Sequence, residues 1–167
     1  MKRSAERGFT LVEIMIVVAI IALLAAIAIP NVLRGRTTAN ETASIGNLRA
    51  LVSSAEMYRS VNSIYPLTAN WVANMYTTPD PDFGPPAFNK TLDLAAGSLV
   101  QGFLYRYTSA AGTTYTLEST PQTLGSTGTR AFFADDSGQI RHCTVAVQGA
   151  VATVASPTID QAVAACP

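Results

Sequence analysis

Apolar residues follow three successive patterns along this chain of 167 residues. From Phe9 to Ile29 they form an almost unbroken run, interrupted near its start by one carboxylate, Glu13. From Ile45 to Tyr58 they recur at steps of three and four, and from Phe103 onward they alternate with other residues. These patterns predict a helix that is apolar on all sides, then an amphipathic helix, and then antiparallel strands.

The apolar run is long enough to cross a membrane. Its 21 residues would span about 31 Å as a helix, which is close to the thickness of a bilayer's hydrocarbon core. Lys2, Arg3 and Arg7 precede it, so we expect a single pass through a membrane with a cytoplasmic N-terminus and an exported C-terminal part. A secretory signal peptide has a shorter apolar region and is cut after it. Here the candidate cleavage site, Gly8, lies before the run, so cleavage would leave the helix on the mature protein.

A second helical segment is expected from residue 30 to about Asn62. Pro30 removes a backbone donor and Gly35 weakens the helix further, so a kink or break is predicted between the two segments. The stripe of this second segment is interpreted as the core-facing side of a globular domain. Its members are Ile45, Leu48, Val52, Ala55, Tyr58 and, at the end, Val61.

The remainder of the chain is predicted to be a loop followed by a sheet. Prolines between residues 63 and 102 rule out long regular elements, so this region is expected to be an extended connection of the kind that often forms a functional surface. Within it, Trp71 and the nearby Val72, Met75 and Tyr76 are expected to form a short helix or an anchored loop. Strands around Ala111-Gly112-Thr113 should place Arg106 opposite Glu118 and Tyr107 opposite Leu117.

A second hairpin is predicted around the turn 135–138, and residues 145–154 are a candidate for one more strand. The expected fold is therefore α+β, with a long helix packed on an antiparallel sheet of three to four strands.

Composition adds few sites for chemistry. Eleven basic and eleven acidic residues cancel, so no specific nucleic-acid partner is predicted. His142 is the sole histidine and is interpreted as a surface or strand residue. Asp135-Asp136-Ser137-Gly138 is too short to hold calcium alone, so a β-turn is favoured over a calcium loop. With no nucleophile–base set or metal cluster apparent, we predict neither an enzyme nor a cofactor.

Two cysteines, Cys143 and Cys166, lie near the C-terminus. An exported domain is in an oxidising compartment, so a disulfide is favoured over two free thiols in a reducing one. The bridge would close a loop of about 24 residues, for which the chain-entropy estimate of stabilisation is about 3–4 kcal/mol.

The segment Gly8-Phe9-Thr10-Leu11-Val12-Glu13, followed by the apolar run and Pro30, resembles the type IV pilin family, which includes the pseudopilins of type II secretion. The specific match covers residues 1–36, and beyond it the resemblance is architectural. It implies cleavage between Gly8 and Phe9 by a prepilin peptidase, which would also N-methylate Phe9. The implied parts are a removed leader (1–8), a membrane and filament-core helix (9–29), an amphipathic half-helix (30–62), an αβ-loop (63–102) and a sheet with a disulfide-closed C-terminal region (103–167).

Glu13 gains a role from this resemblance. Placing a carboxylate inside a membrane costs roughly a few kcal/mol of free energy unless it is protonated or paired with a positive charge. Cleavage would create a positive α-amine on Phe9, and in a filament that amine of an incoming subunit could meet Glu13 of a subunit already in place. Two other interpretations are pairing within one helix and a Glu13 side chain that reaches water at the membrane surface.

The predicted function is that of a structural subunit of a type IV pilus, a helical homopolymer that serves adhesion, twitching motility or DNA uptake. Its partners would be copies of itself, the prepilin peptidase and an inner-membrane assembly platform. Assembly would move it from the inner membrane to a cell-surface pilus or a periplasm-spanning filament. The alternatives are a type II secretion pseudopilin, a minor pilin and, more remotely, a membrane-anchored exported domain that does not polymerise. The cysteine pair, and the lack of an Asp-Pro-Trp-Gly-like segment after the helix, favour the pilus.

Overall fold

The computed structural model describes residues 9–79, 81–161 and 164–166. The predicted leader, with Gly8, lies outside the described residues. One long helix and a five-stranded antiparallel sheet confirm the α+β class, with one strand more than the predicted maximum. The chain divides into two compact units, one up to Gly35 and one from Arg36 onward, which are described separately.

Helix α1 spans Leu11–Asn62 and includes both Pro30 and Gly35. The break predicted at these residues is therefore absent from this structure. Proline removes only one backbone donor. In the same turn, the side-chain amide of Asn31 donates to the carbonyl of Ile27 at 3.1 Å, which adds a bond where Pro30 removes one.

In the unit from Arg36 onward, one face of α1 is buried, and this largely follows the predicted stripe. The buried positions are Glu41, Ser44, Leu48, Leu51, Ser54, Ala55 and Tyr58. Ile45 and Val52 are partly buried against the same core. Val61 was wrongly placed in the stripe, since it is 69% exposed. The chain leaves the helix at Ser63, with φ of +64°, and the fully buried Tyr65 fills the core at this end instead.

The five strands follow one another in sequence order across the sheet. They are β1 (Leu99–Val100), β2 (Phe103–Thr108), β3 (Thr116–Pro121), β4 (Arg130–Asp135) and β5 (Ile140–Thr144). The predicted pairs Arg106 with Glu118 and Tyr107 with Leu117 are present. Both hairpins were found from the sequence because each is built from neighbouring segments and a short turn.

No strand forms between residues 145 and 154, all of which the structure describes, so that prediction was wrong. The amide of Ala150 donates to the carbonyl of Val147, and Gly149 adopts φ of +91°, so the chain turns back on itself instead of extending. The segment lies over the outer face of the sheet, where Val145 and Ala152 pack with Cys143.

The loop between α1 and the sheet is packed into the core. It contains 3₁₀ turns at Thr68–Asn70, Pro86–Phe88 and Ala96–Ser98 and a π-helical turn at Ala73–Thr77. Its Trp71 is buried, and the indole nitrogen donates to the carbonyl of Phe88 at 3.1 Å. This bond joins two parts of the loop, and the ring of Trp71 packs on Tyr107 of β2 at a centroid distance of 4.4 Å.

Candidate assembly site at the start of the long helix

Glu13 lies in the first turn of α1 and forms a reciprocal cap with Thr10. The backbone amide and the hydroxyl of Thr10 each donate to Oε2 of Glu13 at 2.8 Å. In return, the amide of Glu13 donates to the hydroxyl oxygen of Thr10 at 3.2 Å. This capping box satisfies amides that a helix N-terminus otherwise leaves unpaired, and it places a negative charge at the positive end of the helix dipole.

The cap uses one carboxylate oxygen only. Both bonds from Thr10 go to Oε2, and no hydrogen bond from a described residue reaches Oε1. Glu13 is therefore held in a fixed position with a second oxygen that can accept a further donor.

Thr10 is a site residue that we did not predict, although the sequence carries the signal. A Ser or Thr followed three residues later by a carboxylate, directly before an apolar run, is the pattern of a capping box. Thr10 and Glu13 have that spacing, and the apolar run follows.

The apolar surface around Glu13 is exposed throughout the first unit. Large apolar side chains from Phe9 to Leu33 are exposed by between 50% for Val17 and 85% for Phe9. The most apolar window of 18 residues in α1 has a mean hydropathy of 3.0, and none of it is buried. By length and composition this helix can cross a membrane.

The other predicted site residues fall in different places. Phe9 lies one turn before Glu13, whereas Gly8 is outside the described residues. Cys143 and Cys166 form a disulfide, with an Sγ–Sγ distance of 2.09 Å, in the unit from Arg36 onward. The turn at Asp135 has the predicted form: the amide of Gly138 donates to the carbonyl of Asp135 at 3.0 Å, and the carboxylate of Asp135 accepts the amide of Ser137.

A buried carboxylate in the second unit was not predicted. Glu41 is 5% exposed, and its Oε1 accepts the amide and the hydroxyl of Thr129 at 2.7 and 2.9 Å. Burial raises the pKa of Glu41, but the bonds from Thr129 and the guanidinium of Arg130 outweigh burial, so the net pKa is lowered. Glu41 lies four residues before Ile45 and seven before Leu48, and this helical spacing puts it on the buried face of α1. The sequence therefore carried a signal for its burial.

His142 lies in strand β5, which confirms its interpretation as a strand residue. It is buried, so its interpretation as a surface residue was wrong. Only 1% of it is exposed, and neither ring nitrogen has a hydrogen-bond partner among the described residues. Burial lowers its pKa, and the positive charge of Arg130 lowers it further. The residue therefore belongs to the core.

Comparison with known proteins finds relatives of two kinds. Residues 3–29 match the family described as the prokaryotic N-terminal methylation motif. The chain is 37% identical over 79 residues to the type II secretion system core protein G of Klebsiella michiganensis, covering 47% of this chain and 56% of that protein. It is 34% identical over 90 residues to the core protein G of Pseudomonas aeruginosa, covering 54% and 63%.

The second kind is a pilus protein. The chain is 48% identical over 67 residues to the type IV wide pilus major component PilA4 of Thermus thermophilus, covering 40% of this chain and 50% of that protein. The chain thus spans about half to two thirds of the length of these relatives. No solved structure matches. The N-terminal motif and the two kinds of relative together support the type IV pilin family, in the broad sense that includes the pseudopilins of type II secretion.

Proposed function

We propose that this chain is a structural subunit that polymerises into a type IV pilus. The observation that carries the proposal is the exposed apolar half of α1 with a capped carboxylate in its first turn. A soluble monomer does not leave a surface of this size uncovered, so lipid or other protein must cover it. Before assembly the cover is the membrane, and in the fibre it is the same helix of neighbouring copies.

The first turn suits a charge-guided docking step. Cleavage between Gly8 and Phe9 gives Phe9 an α-amine, and N-methylation leaves the positive charge of that amine in place. Thr10 holds the Glu13 carboxylate through Oε2, and Oε1 accepts the amine of an incoming subunit. Burying the two charges together removes much of the cost that each would have alone in an apolar surrounding.

Small side chains in the same helix support close packing of copies. Ala19, Ala22, Ala25, Ala26 and Ala28 lie within the apolar run. Helices that lack a hydrophobic driving force in lipid associate by close fit, and small residues allow their backbones to approach. The prepilin peptidase and an inner-membrane assembly platform act on this helix, with its N-terminus on the cytoplasmic side. The role of the chain itself is structural rather than catalytic.

A pseudopilin of type II secretion is the second candidate, because the relatives include core protein G. The C-terminal region favours the pilus. The Cys143–Cys166 disulfide closes that region, as in many type IV pilins.

The test uses cells that assemble pili but lack their own major pilin. Cells that produce the full chain should carry fibres that can be sheared off and seen by electron microscopy, and the subunit should begin with N-methyl-Phe9. An intact Met1 in sheared fibres would contradict the processing step. Restored protein secretion without surface fibres would favour the pseudopilin.

The docking step is tested by Glu13→Gln, which keeps the size of the side chain and removes its charge. We expect at least a tenfold loss of sheared fibres at an unchanged level of membrane subunit. Glu56→Gln is the matched control, since it changes an exposed carboxylate on the same helix outside the apolar half. Normal fibre yield from Glu13→Gln would rule out the charge pairing.

A further inference from the structure

Exposed apolar side chains in the unit from Arg36 onward occur in only two regions of its described residues. One region is the end of α1 with the residues just after it, and the other is the segment that follows β5. The exposed large apolar residues are Met57, Val61 and Ile64 in the first region and Val147 and Val154 in the second. Elsewhere among this unit's described residues, large apolar side chains are buried or only partly exposed, so these two regions are candidates for contact with other molecules.

The first region borders a groove. Met57 and Val61 on α1 form one wall of a cavity of about 400 Å³, and Pro81 and Phe83 of the loop form the other. We call these four residues the helix-end groove. Polar residues, among them the exposed Asp82, also line the cavity. The loop wall is held in place because the amide of Phe83 donates to the carbonyl of Met75 at 3.0 Å. The groove is thus preformed in the isolated subunit.

The second region presents a single apolar side chain on a fixed turn. Val147 is 70% exposed, and the turn is closed by the amide of Ala150, which donates to the carbonyl of Val147 at 3.1 Å. The adjacent Gln148 side chain anchors the turn. Its carbonyl oxygen accepts the amide of Leu124 at 2.7 Å, and its amide nitrogen donates to the carbonyl of Pro121 at 3.1 Å. We call the exposed valine side chain the Val147 knob.

The knob lies at the end of the unit where β2 begins. Pro121, to which Gln148 is bonded, pairs with Phe103, the first residue of β2. A Cβ on Gly102, just before β2, would lie 3.2 Å from the side-chain nitrogen of Asn40. The knob is therefore near the level of Asn40 on α1.

The groove lies at the other end. The β2–β3 turn reaches the end of α1, since the amide of Tyr65 donates to the carbonyl of Gly112 at 2.8 Å. Val61 of the groove is 21 residues after Asn40, which corresponds to about 31 Å of helix. The knob and the groove are thus separated by roughly the length of the buried half of α1.

We infer that the Val147 knob of one copy docks into the helix-end groove of the next copy along the fibre. This inference rests on the proposed function and deepens it. Two different surfaces at opposite ends of one unit form a head-to-tail contact, and such a contact builds an open polymer rather than a closed dimer. The turn from Ala146 to Gly149 carries no charge, so its entry brings no ion into the groove.

The contact has a distinct role in assembly. One valine and its neighbour Ala146 bury too little surface for a stable dimer in solution, because specific interfaces bury about 1,200 Å² or more. The knob therefore acts only when the apolar half-helices already hold the copies together. It fixes the rotation and spacing of the exposed units.

The test is a disulfide formed between copies in the fibre. The described residues contain no free cysteine, so Val61→Cys and Val147→Cys in the full chain introduce the thiols. Sheared fibres of the double variant, after mild oxidation, should give a ladder of dimers and longer multimers on a non-reducing gel. We expect at least tenfold more multimer than from either single variant.

Val61→Cys combined with Val154→Cys is the matched control, because Val154 is also exposed on the segment after β5. An equal ladder from this pair would overturn the specific contact, as would monomers alone from fibres of the Val61–Val147 pair. Absence of fibres from the unaltered chain would be a different result, which removes the proposed function and this inference with it.

A second measurement does not depend on thiol chemistry. Val147→Asp and Val61→Lys should each lower fibre yield at least fivefold, and the double variant should recover most of it, since opposite charges then meet in the groove. Loss in the single variants without recovery would mean that the groove receives another partner, and it would overturn the inference.

Discussion

The guanidinium of Arg130, at the start of β4, holds the buried carboxylate of Glu41 on α1. Both Nε and Nη2 of Arg130 lie 2.8 Å from Oε2 of Glu41, although the residues are 89 positions apart in the sequence. The hydrogen bond from Nε and the ion pair connect the helix to the sheet at the end of the unit where β4 begins. A buried charge that loses its partner is costly, so this pair matters to folding more than a surface pair does.

Arg130→Ala should therefore destabilise the protein. About one third of the Arg130 side chain is exposed, so we expect a loss of about 1–3 kcal/mol in the free energy of unfolding, below the range for a fully buried pair. Arg106→Ala is the control, because its partner Glu118 lies on the neighbouring strand and the Arg106 side chain is 40% exposed. That change should cost less than about 1 kcal/mol. Urea unfolding of the full chain in detergent compares them, and equal losses would contradict the special role of the Glu41–Arg130 pair.

Mild acid should weaken the fold through His142. Burial lowers the pKa of His142 below 6.5, so the unfolded chain takes up a proton that the folded chain resists. The contribution of His142 to stability is complete above about pH 6.5 and is lost as the pH falls towards the lowered pKa. Melting temperature measured from about pH 8 to pH 5 should fall in this window, and His142→Gln should flatten the curve there. An unchanged curve in the variant would assign the transition to another group.

Glu41 should produce a second loss of stability at lower pH. Its folded pKa is below the ordinary value of 4.5, so its contribution is complete above about pH 4.5 and is lost as the pH falls through the lowered pKa. Unfolding measured between about pH 5 and pH 3 should show this decline in the unaltered chain. Glu41→Gln should start from a lower stability at neutral pH and decline less over the same range.

Removing the disulfide should cost about 3–4 kcal/mol, the entropy estimate for a loop of this length. The double variant Cys143→Ala and Cys166→Ala removes the disulfide bond. Alanine is chosen because Cys143 is fully buried and a polar replacement there would bury a new polar group. A reductant should lower the unfolding midpoint of the unaltered chain by a similar amount. The alanine variant serves as the control, because the same reductant should leave its unfolding midpoint unchanged.

Two glycines of α1 separate the stability of the helix from its behaviour in a fibre. A Cβ added at Gly35 or at Gly46 would meet no described atom within 4 Å outside the adjacent helix backbone, so alanine fits at each. Either change should stabilise the helix by about 0.5–1 kcal/mol. If the region around Pro30 unwinds on assembly, Gly35→Ala alone should lower fibre yield. Equal yields from both variants, measured by shearing, would show that assembly needs no unwinding there.

The elements that depend on neighbouring residues could be predicted from the sequence. The apolar run, the buried stripe and both hairpins follow from spacing within short segments, and the register of Arg106 with Glu118 follows from the length of one turn. The motif at Phe9 and Glu13, for which we propose a role in assembly, is equally local, and so is the capping box that includes Thr10. Spacing within one helix or one hairpin decides such features.

The tertiary structure alone decided the features that join distant segments. Glu41 is a buried anchor because Thr129 and Arg130 meet it across the fold, and His142 is buried because the C-terminal segment covers β5. Residues 145–154 have strand-like composition, yet contacts with the outer face of the sheet make them a turn that exposes Val147. The sequence by itself determined the N-terminal methylation motif and an apolar helix long enough to cross a membrane. Long-range packing decided which charges are buried and where the exposed unit can touch its neighbours, because burial depends on which segments come together and not on local spacing.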